Sequence, residues 1–162
     1  MTWKPDVTVA AVAERDGRFL IVEERISGRL VFNQPAGHLE EGETLLAAVA
    51  RETREETAWA FAPESWLGVY LWRNGVNGRS TLRFAFAGVV SDHRAEQPLD
   101  RAIVRTHWLS RAELAAREAR LRSPLVLRCI DDYASGRRLP LEAVAAIDLH
   151  SAAAVSALGV RP

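Results

Sequence analysis

One stretch of this sequence limits the fold more than any other. Residues 37–59 read GHLEEGETLLAAVARETREETAW, an acidic loop bounded by glycine and followed by a segment that lacks proline and glycine from Thr44 to Thr57. That segment is rich in alanine, leucine and arginine, which favour helix formation. The sequence therefore predicts an acidic loop that leads into a helix, with Glu43 near the positive end of the helix dipole.

Three glutamates of this helix, Glu52, Glu55 and Glu56, are related by three- and four-residue spacings. They lie away from the centre of an apolar stripe, so their carboxylates project into one region. The stripe consists of Leu45, Leu46, Val49 and Thr53. Repulsion between the carboxylates costs about 0.2–0.5 kcal/mol per pair, and a hard divalent cation such as Mg²⁺ would offset it. Taken alone, the triplet is also explained by a solvated helix face with an Arg51–Glu55 ion pair.

The order and spacing of the charged residues resemble the signature box of the Nudix hydrolases. Gly37 is followed after five residues by Glu43, after seven more by Arg51-Glu52, and then by Glu55-Glu56. Two uncharged positions depart from the box: Thr53 stands where an aliphatic residue is usual, and Ala58 where a glycine is usual. Because that glycine ends the helix in a conformation that suits glycine, we expect this helix to run longer or to end differently.

Three further segments, residues 33–40, 121–126 and 135–142, resemble one bacterial branch of this family, the NudJ-type phosphatases. Members of that branch act on thiamine-pathway pyrophosphates and on nucleoside di- and triphosphates. The resemblance extends from Lys4 to about Ile147. It implies an α/β/α sandwich with a mixed central sheet, formed by one domain over residues 1–142 and followed by an alanine-rich tail over 143–162.

The order of local signals agrees with an α+β fold. Short β-branched or alternating runs predict strands at residues 7–12, 18–23, 30–33, 66–72, 81–90 and 105–109. Turns are predicted at Asp16-Gly17, at residues 27–29 and at residues 74–78. Residues 62–65 should interrupt the chain, residues 91–101 should form a mobile loop, and Ser110 should cap a helix over 111–119 that is followed by a helix over 124–134.

The family resemblance also implies roles for individual residues. Glu52 and Glu56, with Glu55 as a further ligand and the Gly37 carbonyl as an additional one, would bind Mg²⁺, for which Mn²⁺ is an alternative. Glu52 is the leading candidate for the general base, although family members differ over which glutamate serves. Arg51 would hold the glutamates in place, so the catalytic set is Glu52, Arg51 and Glu55.

Substrate contacts are predicted less specifically. Arg25, Arg29 and Arg83 are candidates for phosphate contacts because the guanidinium fork matches phosphate oxygens, but each is alternatively a solvated charge. His38 is a candidate for contact with substrate or for capping the loop backbone, and Trp72 for stacking on a base or pyrimidine ring. The aromatic residues Phe84 and Phe86 could stack as well, but their period-two spacing favours the core. The loop acids Glu96 and Asp100 could complete the metal site or serve as the base, but we select neither.

Composition excludes several other classes of protein. The 162 residues carry 21 basic and 21 acidic side chains, so there is no basic footprint for a nucleic-acid polymer. The single cysteine, Cys129, lies in an apolar run and is expected to be buried. No signal peptide or spanning segment is evident, so we expect a cytoplasmic protein without membrane contact, as a monomer or a dimer.

The predicted activity is Mg²⁺-dependent hydrolysis of pyrophosphate bonds in small molecules by an activated water. The predicted substrates are nucleoside di- and triphosphates and thiamine-related pyrophosphates. Two alternatives remain at this point. One is a Nudix domain that only binds a nucleotide as a sensor, which the complete set of box acids disfavours. The other is an RNA-end pyrophosphohydrolase, which should show a basic groove for the strand.

Overall fold

The computed structural model describes residues 2–147, which fold into seven strands, three α-helices and two short 3₁₀ turns. The strands are β1 (Asp6–Arg15), β2 (Arg18–Ile26), β3 (Arg29–Asn33), β4 (Ala36–His38), β5 (Ala60–Arg73), β6 (Ser80–Ser91) and β7 (Ile103–Ser110). The helices are α1 (Leu45–Thr57), α2 (Arg111–Ala115) and α3 (Leu125–Ala134), and the 3₁₀ turns are Glu118–Arg120 and Leu141–Ala143.

The strands pair in one mixed sheet, as expected from the family resemblance. Their order is β3-β2-β1-β6-β5, with β4 paired to β1 and β7 paired to β2. Strands β1 and β6 run parallel, with Thr8 opposite Arg83, whereas the other pairs are antiparallel. Because β1 has neighbours on both sides, it carries the centre of the sheet, and its residues from Val9 to Ala13 are buried.

Helices cover both faces of the sheet, which confirms the predicted α/β/α arrangement. On one face, Ala48 and Val49 of α1 pack against Val9 and Phe86. On the other face, Ile130 and the other buried residues of α3 pack against a second cluster. The predicted burial of Cys129 and Phe86 is confirmed, and Phe84 is partly buried against the α1 side.

The turns that join the first strands follow from residues that tolerate positive φ. Asp16 and Gly17 have φ values of 52° and 75°, and Ser27 and Gly28 have values of 49° and 80°. Positive φ at both central residues is the geometry of a type I′ hairpin turn, which matches the twist of the flanking strands. The predicted turns therefore form at both places.

Two predictions about secondary structure were wrong. Residues 62–65 do not interrupt the chain but continue β5, with register shifts between Pro63 and Ser65 and between Trp66 and Gly68. Because β5 lies at the end of the strand order, Pro63 is tolerated there without a backbone donor. The helix after Ser110 begins with the predicted capping box but ends at Ala115 instead of residue 119, since Leu114 is its only buried residue.

Helix α1 ends at the position where the box departs from its usual glycine. Thr44 caps the first turn through its side chain, so the helix begins one residue later than predicted. Ala58 adopts a left-handed conformation with φ 60° and donates its backbone N–H to the Arg54 carbonyl. The expectation that the helix would run longer or end differently was therefore wrong: it keeps a glycine-type ending although the residue is alanine, at a steric cost of about 1–2 kcal/mol.

Hydrogen bonds tie the segment between β6 and β7 to the end of α1. Arg94 and Asp100 donate backbone N–H groups to the carbonyls of Ala58 and Glu55, at 3.0 and 2.9 Å. Gln97 donates its side-chain amide to the Arg54 carbonyl at 2.7 Å. These bonds satisfy carbonyls at the helix end and fix the path of the chain up to Asp100.

Most of the predicted alanine-rich tail lies outside the described residues, which end at Ile147. The part that is described begins with the Leu141–Ala143 turn, and Leu141 and Val144 pack against the core on the α1 side. Within residues 2–147, no helix combines the length and the apolar character that a membrane span requires.

Candidate active site

Two of the three glutamates that the sequence places on one region of α1 are buried. Glu52 and Glu56 are 8% and 7% exposed, whereas Glu55 is exposed. A solvated helix face would leave all three accessible, so that alternative fails for Glu52 and Glu56. Burial of two carboxylates one turn apart is unfavourable unless a cation or a set of donors compensates it.

These two glutamates line a cavity of about 440 Å³ that includes all three residues of β4. The cavity extends from the end of α1, across β4 and β1, to the β5–β6 hairpin and the beginning of α3. Its polar lining includes Asp6, Thr8, Glu24, Asn33, His38, Glu52, Glu56, Arg79, Arg83, Asp100, Arg122 and Ser123. The carboxylates of Glu24, Glu52, Glu56 and Asp100 lie near one another, whereas Asp6 is paired with Arg79.

The environment of Glu56 strongly favours its protonated form in the absence of a cation. Burial raises the pKa of Glu56 to about 9, and the nearby carboxylates Glu24, Glu52 and Asp100 raise it as well. One hydrogen bond acts in the opposite direction, from the Ala36 N–H to Glu56 Oε2 at 2.9 Å. Acidic groups that repel each other in this way form a strongly electronegative site when ionised.

Glu52 lies directly against the backbone of Gly37. A Cβ atom on Gly37 would lie 2.0 Å from the Glu52 Cδ atom. Glycine is therefore required for the carboxylate to approach β4 this closely. Burial raises the pKa of Glu52, while Arg51 opposes that shift. Two of the residues that are predicted to bind the cation, Gly37 and Glu52, are therefore in contact.

Arg51 connects the loop before α1 to the glutamates. Its Nε and Nη2 atoms bind the two carboxylate oxygens of Glu43, at 3.0 and 2.7 Å, and Nη2 also binds the His38 carbonyl at 3.0 Å. Its Nη1 atom binds Glu52 at 2.9 Å and Glu55 at 3.1 Å. The hydrogen bond with Glu43 raises the pKa of Arg51, so the guanidinium remains charged. Glu43 precedes the helix and holds Arg51 instead of adding charge to the first helical turn.

Two acidic residues of the cavity come from outside the box. Glu24 of β2 is 8% exposed, and burial raises its pKa. Asp100 reaches the cavity because its segment is bonded to the end of α1. Sequence reasoning did not select Glu24, although a glutamate at the end of an apolar strand was a visible signal. Asp100 was considered as one of two loop acids, and the structure brings it to the cavity but does not bring Glu96 there.

The predicted substrate contacts divide into two groups. His38, Trp72 and Arg83 line the cavity, and Arg83 is only 5% exposed. Arg25 and Arg29 are exposed and do not line it. For Arg25 the alternation of side chains along β2 explains this, because Glu24 points into the cavity and its neighbour Arg25 must then point away.

The donor set fits a hard divalent cation by its chemistry. The carboxylates of Glu24, Glu52, Glu56 and Asp100 line one cavity, and the repulsion between them would be relieved by a cation. They are not assembled in advance, because no group of three acidic, histidine or cysteine side chains among residues 2–147 is arranged to hold a metal ion. Arg51 occupies Glu52 and Glu55 instead, and Glu55 does not line the cavity.

Comparison with known proteins gives a consistent result. Residues 3–129 match the NUDIX domain. The chain is 44% identical to Phosphatase NudJ of Escherichia coli (strain K12) over 142 residues, which cover 88% of this chain and 92% of that protein. Phosphatase NudJ of Shigella boydii shows the same identity and coverage.

A solved structure gives the same relationship at the level of the fold. The NUDIX hydrolase from Nitrosomonas europaea superposes with a TM-score of 0.88 and is 46% identical, over 90% of this chain and 99% of that chain. A UDP-X diphosphatase, 18% identical with a TM-score of 0.69, covers 86% of this chain and 68% of that chain and shares the fold.

Proposed function

The chain belongs to the Nudix hydrolases, which act on pyrophosphate bonds, and we propose that its substrates are nucleoside di- and triphosphates and thiamine-related pyrophosphates, hydrolysed with Mg²⁺ as cofactor. The observation that carries this proposal is the cavity in which buried carboxylates face one another beside the Gly37 backbone. Such a site is unfavourable in the empty protein and becomes favourable with a cation and a phosphate chain.

Glu52 and Glu56 would hold the cation together with the Gly37 carbonyl, and Glu24 is a further buried carboxylate of the same cavity. A bound divalent ion neutralises phosphate oxygens and lowers the pKa of a water molecule. Glu55 remains the predicted further ligand, but its carboxylate is bonded to Arg51 and exposed. Mn²⁺ is an alternative to Mg²⁺, because both prefer oxygen ligands.

Glu52 is the proposed general base. This role is supported by the burial of its carboxylate in the cavity and by the bond from Arg51, at 2.9 Å, which holds it there. Arg51 acts through Glu52 and does not line the cavity itself. Because Arg51 also binds Glu43 and the His38 carbonyl, it fixes the loop, the helix and the carboxylate relative to one another.

The remainder of the substrate would lie towards the β5–β6 hairpin. Trp72 lines the cavity and offers a ring for stacking, and His38 lines the same cavity. Catalysis of phosphoryl transfer depends mainly on positioning and charge neutralisation, so the cavity needs few reactive groups. The 44% identity to NudJ phosphatases supports an enzyme more than a sensor that only binds nucleotide.

The test of this proposal is Glu52→Gln, which keeps the size of the side chain and removes its ability to accept a proton. Phosphate release from a panel of nucleoside di- and triphosphates, thiamine pyrophosphate and its pyrimidine precursor should require Mg²⁺ in the wild type. In the variant it should fall by about 10²–10⁴-fold, the usual contribution of a general base.

The matched control is Glu118→Gln, because Glu118 is exposed and does not line the cavity. It should keep wild-type turnover, and both variants should keep the wild-type melting temperature within a few degrees. Near-normal phosphate release by Glu52→Gln would refute the assignment of the base. Metal-independent release by the wild type would refute the assignment of the cofactor.

A further inference from the structure

Unpaired polar atoms are concentrated in the part of the cavity away from the box glutamates. Five buried side-chain polar atoms of the described residues have no hydrogen-bond partner, and Thr8 Oγ1, Arg83 Nε and Ser123 Oγ belong to residues that line this cavity. Buried polar groups in proteins are nearly always paired. Three exceptions among the residues around one cavity leave hydrogen-bonding capacity there that the protein itself does not use.

The charge of Arg83 indicates what kind of ligand would use this capacity. Arg83 is 5% exposed, and its two terminal nitrogens contact the neutral side-chain oxygens of Gln34 and Asn33, at 3.3 and 3.4 Å, while the neutral thiol of Cys129 also lies beside the guanidinium. Within residues 2–147, no carboxylate lies within ion-pair distance of it. A buried guanidinium without an anionic partner is costly, so an anion is the ligand that stabilises it most.

The beginning of α3 adds a second source of positive potential. Pro124 occupies the cap position without a side-chain hydrogen bond, and the first turn contains no acidic residue. Ser123 and Leu125, on either side of Pro124, both line the cavity. The hydrogen bond from Gln34 Nε2 to the Val126 carbonyl, at 2.7 Å, holds this turn against the strand that leads to β4. Uncapped helix N-termini attract anions.

The sheet register separates Arg83 from β4, against which Glu52 lies, although Glu24 is linked to Arg83 through the side chain of Asn33. His38 of β4 lies opposite Thr8 of β1, and Thr8 lies opposite Arg83 of β6. Adjacent strands are about 4.8 Å apart, so the backbones at His38 and Arg83 are separated by roughly 10 Å. Arg122 is nearer the acidic end, with its Nε atom 3.5 Å from Glu24 Oε1, and is partly neutralised there.

We propose that Arg83, Ser123 and the N-terminus of α3 form a subsite for an anionic oxygen group of the substrate, beyond the phosphates at the glutamates. This inference rests on the proposed function and narrows it. A nucleoside triphosphate carries a further phosphate group for the subsite, whereas the diphosphate does not. The subsite therefore makes the enzyme favour triphosphates, through binding rather than through the chemical step.

Inorganic phosphate is the probe for the subsite itself. Calorimetric titration into the wild-type protein, with EDTA present and at constant ionic strength, should show one binding site. Binding should weaken at least about tenfold in Arg83→Met, and measurably in Ser123→Ala, because charge-assisted hydrogen bonds are lost. Arg111→Met should bind phosphate as the wild type does, since Arg111 is an exposed residue of α2 outside the cavity.

Kinetics with the two nucleotides provide the second test. Arg83→Met should raise KM for the triphosphate about tenfold more than KM for the diphosphate, with kcat little changed. Two results would refute the proposed subsite: no phosphate binding to the wild type, or equal binding by the wild type, Arg83→Met and Ser123→Ala. Either result would mean that water alone satisfies the unpaired polar atoms of Arg83 and Ser123. Ser123→Ala keeps the test decisive if Arg83→Met does not fold. Phosphate binding is measured without metal or turnover, so its failure is distinct from a failure of the proposed hydrolysis.

Discussion

Gly37→Ala should separate activity from stability in this protein. The added Cβ would lie 2.0 Å from Glu52 Cδ and 2.2 Å from both carboxylate oxygens. Ordinary carbon contacts need about 3.5 Å, so the carboxylate must move by roughly 1.5 Å. The atoms in the way are the end of a flexible side chain, and an off-rotamer position costs about 0.5–1.5 kcal/mol. A misplacement of about 1 Å in an active site costs on the order of 10²-fold in rate.

We therefore expect Gly37→Ala to lower kcat/KM by about 10²-fold while the free energy of unfolding falls by only about 1 kcal/mol. Urea unfolding and Mg²⁺-dependent phosphate release measure the two quantities. Gly75→Ala is the matched control, because a Cβ on Gly75 would meet no atom within 4 Å. Wild-type kcat/KM in Gly37→Ala would refute the reasoning, since the approach of Glu52 to this backbone would then have no catalytic consequence.

Three further variants test other contacts of the site. Arg51→Met should lower kcat/KM roughly 10–100-fold and stability by about 1–3 kcal/mol, because its bonds to three carboxylates are lost. Arg128→Met, on the exposed side of α3, should keep wild-type activity. The pKa of Glu56 is raised from 4.5 to about 9, so between these two pH values the folded state keeps a proton that the unfolded chain has lost. Without metal, the free energy of unfolding should therefore fall as the pH rises from 5 to 8, by at most about 1.4 kcal/mol per pH unit for this group, and less steeply in Glu56→Gln. Urea unfolding in EDTA measures this free energy, and an increase with pH would contradict the prediction. Ala58→Gly should raise the melting temperature slightly, because it removes the cost of about 1–2 kcal/mol of a left-handed alanine, while the greater chain entropy of glycine in the unfolded state offsets about 0.4–1 kcal/mol of that gain. A clear loss of stability would show that packing of the Ala58 methyl group outweighs the strain.

The parts of the fold that were predicted correctly depend on local chemistry. Asp16-Gly17 forms a hairpin turn because both residues tolerate positive φ, and Ser110 with Glu113 forms a capping box. The predicted break at residues 62–65 was wrong because the position of a strand in the sheet decides whether proline is tolerated. Pro63 interrupts a strand in general, but β5 lies at the end of the sheet, so the missing donor has no consequence there.

The candidate site shows the same division. The spacing of Glu52, Glu55 and Glu56 placed all three on one region of the helix and offered the Arg51–Glu55 ion pair as an alternative, but it could not show that Glu55 would be exposed while Glu52 and Glu56 are buried. Glu24 reaches the cavity through the pairing of β2. Asp100 arrives because its segment is bonded to the end of α1. Neither the strand pairing nor these hydrogen bonds can be inferred from the residues that adjoin Glu24 and Asp100 in the sequence.

The sequence by itself determined the order of the box residues, the turns and the helix, because these follow from side-chain chemistry within a few residues. Only the tertiary structure decided which carboxylates are buried together and which polar atoms around Arg83 lack partners. Both depend on the sheet register and on burial, which join residues far apart in the chain. Electrostatic repulsion and unpaired hydrogen bonds arise from that proximity, and the proposed binding of metal and phosphate rests on them.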